Sequence, residues 1–191
     1  MPGRIYAELA EFANDNHGFI TPDDAREAGI NPTNLVRMAE RGQLERRGNA
    51  LYRFPLAPPG PLDPYMEATL WPRGVEAVIS HESALELYEL SDVHPRRIHL
   101  TVPRAYRIRR QAPGAYRIHH EDLRPRDVGR LEGIPIVTPE HAIRQAHKAS
   151  LGPALVAQAI DHGEQNGRLT RRQAGGLRKE IGVAPGDGSR R

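Results

Sequence analysis

Cysteine is absent from the 191 residues, which excludes a disulfide framework and any thiolate metal site. A reducing compartment follows as the natural reading, and the cytoplasm is the expected location. Aromatic residues make up only 5% of the chain, so the core must be built mainly from aliphatic side chains. Lysine occurs only at Lys148 and Lys179, leaving arginine to carry the positive charge. No apolar run approaches the roughly 18–20 residues of a membrane span, and the amino terminus has no signal-peptide core. A soluble protein with no membrane partner is expected. No segment repeats another.

Proline and glycine, at 17 and 18 residues, are plentiful. The densest cluster is Pro55-Leu56-Ala57-Pro58-Pro59-Gly60-Pro61, which excludes helix and central strand and favours a stiff, extended connector. A chain of this length suits one large domain or two small ones. The expected division is a first domain over residues 1–54, a linker over 55–61, a second domain over 62–182 and a flexible tail over 183–191.

Before the prolines, Ile5, Leu9 and Phe12 recur at helical spacing, predicting a helix that ends near Asn16-His17-Gly18. Thr21-Pro22-Asp23-Asp24 supplies a cap, a first-turn proline and carboxylates for a second helix over 22 to about 28. After the turn at Gly29-Ile30-Asn31, Asn31-Pro32 starts a third helix that ends near Gly42. Two short capped helices around such a turn form a helix-turn-helix. On the third helix, Leu35, Met38 and Ala39 make the buried stripe, while Thr33, Arg37, Glu40 and Arg41 lie opposite. Residues 43–54 then read as two strands around Gly48-Asn49. That hairpin is the wing, with Arg46 and Arg47 placed for phosphates. The whole predicts an α+β protein: an N-terminal winged helix-turn-helix followed by a mixed α/β domain with a small sheet and several helices. Double-stranded DNA is the expected partner, touched by Thr33, Asn34, Arg37, Arg41, Arg46 and Arg47.

Net charge is only +3, but it is unevenly spread. Residues 93–120 hold seven arginines and no acid, making Arg96, Arg97, Arg104, Arg107, Arg109 and Arg110 a further candidate basic surface. The second domain should begin with a helix over 63 to about 71, then a strand at 77–80 and a helix over 82–90. Strands follow at 97–102, 116–119 and 134–137, with Pro135 at a sheet edge or a strand start. Helices over 138–150, 153–163 and 170–182 complete it. In the strand at 97–102, Ile98, Leu100 and Val102 share one face and Arg97, His99 and Thr101 the other.

Catalytic and metal-binding motifs are missing. His119-His120-Glu121-Asp122 alternates across a strand, so at most half could converge on one ion, and it reads as a solvated strand end. His81-Glu82-Ser83 lacks a nucleophile elbow, and the serine reads as a helix cap. His141 and His147, six apart on one helix, read as surface residues. Neither lysine follows an acid at the second position before it, which removes the acid-x-Lys nuclease motif, and no phosphate-binding glycine loop is present. No catalytic residue, metal ligand or cofactor is therefore expected, and the chain is not expected to be an enzyme.

Several segments carry a family resemblance. Gly18-Phe19-Ile20-Thr21, Ala25-x-x-x-Gly29-Ile30 and Leu44-x-x-Arg47-Gly48-x-x-x-Tyr52 are followed by Ser80-His81-Glu82-Ser83-Ala84-Leu85 and Arg97-Ile98-His99-Leu100-Thr101-Val102-Pro103. Together they resemble the AbiEi-type antitoxins of bacterial abortive-infection toxin-antitoxin systems. The resemblance implies an autorepressor that binds the operator of its own operon, with a carboxy-terminal domain needed to neutralise a nucleotidyltransferase-like toxin. Three other readings stay open: a DNA-binding regulator unconnected to a toxin, an enzyme acting through the histidine-rich second domain, and a protein-interaction module without operator binding.

Overall fold

The computed structural model describes residues 4–48, 50–108 and 112–184. Of the positions singled out above, Asn49, Arg109, Arg110 and the tail from 185 lie outside the described residues. The chain divides into two compact units, Met1–Ala77 with Glu132–Ile134, and Val78–Leu131 with Pro135–Arg191.

Helical spacing at the start of the chain becomes α1 (Arg4–Asp15). Its buried stripe is Leu9 and Ala13, while Ile5 is 42% exposed, so the apolar face is rotated from the expected Ile5, Leu9, Phe12 line. A two-residue strand, β1 (Phe19–Ile20), follows. It is too short to show any period and exists through its antiparallel pairing with β3 (Leu51–Arg53), Phe19 opposite Arg53 and Ile20 opposite Tyr52. Helix α2 (Pro22–Glu27) opens with a reciprocal cap: the Thr21 N–H donates to Asp24 Oδ2 at 2.7 Å, and the Asp24 N–H to Thr21 Oγ1 at 3.2 Å. Helix α3 (Thr33–Glu40) starts where Asn31 Oδ1 accepts the Thr33 N–H at 3.0 Å. β2 (Glu45–Gly48) pairs antiparallel with β3, giving the sheet order β1-β3-β2. Leu9, Ile20, Ile30, Leu35, Met38, Leu44, Tyr52 and Phe54 close the core.

The proline-rich stretch is held against this unit. Gly18, at φ +83°, lies so close to Ala57 that an added Cβ would sit 2.4 Å from the Ala57 Cβ, so no larger residue fits without movement. Arg53, only 8% exposed, donates to the Pro58 carbonyl at 3.1 Å and to Asp63 Oδ2 at 3.0 Å. The compact unit runs on through α4 (Asp63–Leu70) to Ala77.

The second unit is a five-stranded sheet with a helical layer. β4 (Val78–Ile79) pairs antiparallel with β5 (Ile98–Val102), and β5 pairs parallel with β6 (Tyr116–His120). β7 (Val128–Leu131) and β8 (Ile134–Val137) complete the order β6-β5-β4-β8-β7. β7, with a glycine and an arginine at its centre, carries no alternating signal and was not anticipated. β8 lies inside the sheet, so of the two places expected for Pro135 the strand start applies. Helix α5 (His81–Leu87) packs on α6 (Pro139–Lys148), α6 on α7 (Pro153–Gln165) and α7 on α8 (Arg171–Ile181). Ala142, Ile143, Val156, Ile160 and Leu177 are among the fully buried residues of this layer.

Candidate nucleic-acid interface and a buried histidine cluster

Thr33, Arg37 and Arg41 recur every four residues and so form one stripe along α3 and its carboxy-terminal cap. All three are exposed, whereas Leu35 and Met38 on the opposite side are buried and Asn34 is half-buried. Among the described residues, neither Arg37 nor Arg41 has a carboxylate partner. Val36, 42% exposed, flanks the stripe. It was missed because it belongs to neither the buried nor the charged set, although an apolar residue off the buried line was visible in the sequence. An exposed methyl group beside arginines is suited to the thymine methyl in a major groove.

The two wing arginines differ. β2 is exposed along its length, and its pairing with β3 shifts register between Arg46 and Gly48, so Arg47 is the extra residue of a bulge and strict alternation does not fix its face. Arg47 Nη2 lies 3.5 Å from Glu67 Oε2 on α4, while Arg46 Nε reaches the nearby Gly48 carbonyl at 3.4 Å. Arg46 is thus the freer of the two for a phosphate. In the second unit Arg96, Arg97, Arg104 and Arg107 are all exposed.

A different site forms inside the second unit. β5 and β6 are in register with His99 beside Arg117 and Thr101 beside His119, so these four residues share one face of the sheet. His81, at the junction of β4 and α5, lies against that face. Its ring stacks on His119 at 3.6 Å between centroids, and His99 lies 5.9 Å from His81 and 5.1 Å from His119. One ring nitrogen from each histidine lies within 4.8 Å of the others. His81 has φ +53°, a left-handed conformation uncommon for a side chain of this size and of the kind that collects at functional sites.

The surroundings hold the backbone here more firmly than the rings. Ser80 Oγ lies 3.0 Å from His81 Nδ1, Gln145 Oε1 accepts the His81 N–H at 3.3 Å, and Ser83 Oγ accepts the His99 N–H at 3.0 Å. Gln145 Nε2 donates to Glu121 Oε2 at 2.6 Å. His99 Nδ1, His119 Nε2 and Thr101 Oγ1 are buried without a hydrogen-bond partner among the described residues, each an omission worth about 1–3 kcal/mol. Burial, reinforced by the neighbouring imidazoles and Arg117, pushes His81 down to about 3 and His99 to about 4; His119 falls to about 4 through burial and Arg117. All three are neutral at neutral pH.

Residues 7–55 match the family model of transcriptional regulators described as AbiEi antitoxin. The match is confined to this amino-terminal segment, well under half of the chain. The AbiEi segment runs from within α1 to the end of the wing and contains the whole arginine stripe. Over most of the chain the fold is similar to that of the RV2827C protein from Mycobacterium tuberculosis, whose crystal structure aligns with a TM-score of 0.53 at 18% identity, covering 96% of this chain and 79% of that one. No curated protein matches the chain. The fold is α+β with an N-terminal helix-turn-helix, as expected from the residues.

Beyond the AbiEi segment, three readings need correction. His119 does not end a solvated strand: it is partly buried and joins His81 and His99, three histidines distant in sequence. Neither serine of Ser80-His81-Glu82-Ser83 caps α5: Ser80 stands at the cap position without a capping hydrogen bond, and Ser83 lies inside the helix. His141 is not a surface residue. Its side chain is 12% exposed, with Nε2 3.2 Å from Glu121 Oε1 and Nδ1 3.8 Å from Asp127 Oδ1, while His147 is exposed. The signal for the cluster was present in the period-two pattern, which placed His99 and Thr101 on one face. What was missing was the knowledge that this face is also covered.

Proposed function

We propose that the chain is a transcriptional autorepressor of the AbiEi antitoxin type, acting in the bacterial cytoplasm. It binds the operator of its own toxin-antitoxin operon as double-stranded DNA and counters a nucleotidyltransferase-like toxin through residues beyond the winged helix. The observation that carries the reading is the exposed Thr33, Arg37 and Arg41 stripe on the second helix of a helix-turn-helix, within a segment that matches regulators of this type. Arginine on such a helix recognises guanine edges, and Arg46 in the wing adds sequence-independent phosphate attraction. The role is regulatory, with no reaction catalysed.

The test is binding of the full chain to the DNA upstream of its own gene, across a salt series. With about four to six phosphates neutralised, log affinity falls against log salt with a slope of roughly −4 to −5. A flat salt response with no preference over unrelated DNA would overturn the reading. Co-expression with a neighbouring nucleotidyltransferase gene tests the antitoxin half: the chain restores growth, and Arg37→Ala still does so while losing repression.

A further inference from the structure

We infer that His81, His99 and His119 form a binding site for one divalent transition-metal ion, zinc being the best fit. The three side chains come from the start of α5, from β5 and from β6, and supply three imidazole nitrogens within 4.8 Å of one another. Imidazole is a preferred ligand of zinc, and three protein ligands leave a fourth position for water.

Two observations separate this from three histidines that merely fill a core. Buried polar atoms in folded proteins are nearly always hydrogen-bonded, yet among the described residues His99, 3% exposed, has no partner for its Nδ1, and His119 Nε2 is buried without one as well. An ion held by these two nitrogens would satisfy both. In addition, Ser80 Oγ at 3.0 Å engages His81 Nδ1, and an oxygen partner on one ring nitrogen is what commits the other to a metal. Gln145 accepts the His81 backbone N–H and donates to Glu121, which holds the backbone of this ligand and not its ring.

The geometry also says what must move. Nitrogens that share a tetrahedral zinc at about 2.0–2.1 Å stand roughly 3.3 Å apart, closer than the 4.8 Å limit seen here. His81 and His119 are stacked with only 16° between their planes, so their in-plane lone pairs do not converge. Binding turns one of these rings out of the stack toward His99.

The experiment uses untagged full-length protein stripped with a chelator and titrated with zinc chloride by calorimetry. One equivalent binds. His119→Gln weakens binding by more than the roughly 10–100-fold that follows loss of an outer-shell partner, whereas His147→Gln leaves it unchanged. X-ray absorption on the zinc-loaded wild type shows three imidazoles, a readout that stands if His119→Gln does not fold. Failure to bind one equivalent, unchanged affinity in a folded His119→Gln, or a shell with fewer than three imidazoles overturns the site.

Discussion

The first unit displays its basic side chains to solvent, and the second folds three of its own inward. Arg37, Arg41 and Arg46 remain hydrated and charged, which makes them available to a polyanion at little cost. His81, His99 and His119 lose water, cannot hold a proton at neutral pH, and leave two ring nitrogens without partners among the described residues. The same class of basic group therefore serves opposite ends: charge offered outward for long-range attraction, and neutral lone pairs gathered inward for short-range coordination.

The contrast predicts its largest effect in acid. Because the folded pKa values of the three histidines lie near 3–4 and the ordinary value is 6.5, the unfolded chain takes up protons first as pH falls below about 6.5. Stability is then lost progressively down to about pH 4 for His99 and His119 and about pH 3 for His81, at up to about 1.4 kcal/mol per pH unit for each histidine. Urea denaturation across that range measures it, and a constant midpoint would mean that the rings are not buried.

Arg53 sets a limit on the outward rule, since it is the one arginine of the wing that is buried, paired with Asp63. Arg53→Ala leaves that carboxylate with only His17, 3.7 Å away, as a basic neighbour among the described residues, and should cost up to about 3–5 kcal/mol. The single tryptophan, Trp71, lies in the same unit, and its fluorescence during denaturation follows the loss.

Smaller effects separate the exposed arginines from one another. Arg37→Ala should cost about 1–3 kcal/mol at the operator and relax discrimination, while Arg46→Ala should weaken all sequences alike and reduce the salt slope by about 1. Arg47→Ala should cost less than Arg46→Ala because Glu67 already stands 3.5 Å from its guanidinium. Competition binding on operator and unrelated DNA distinguishes these outcomes, and a larger loss at Arg47 would reverse the order of the two wing arginines.

The helices were legible because their signals are local. Thr21-Pro22-Asp23-Asp24 contains its own cap, and Thr33, Arg37 and Arg41 share a face at any position a helix takes. The proline-rich stretch was legible only in part. Its composition excludes regular structure, but its attachment depends on Gly18 and Ala57, thirty-nine positions apart in the chain. Strand β1 has no identity apart from its partner β3, and β7 offers no pattern to read.

Sequence alone established the helix-turn-helix, its exposed arginines and the alternation that puts His99 and Thr101 together, since periodicity and capping act within a few residues. The histidine cluster was decided by tertiary structure. Parallel pairing of β5 with β6 brings His119 beside Thr101, and the left-handed turn at His81 carries its ring onto the same face. Packing of helix against sheet then removes the water. Proximity, desolvation and unpartnered nitrogens are properties of that assembly, and no spacing in the chain encodes them.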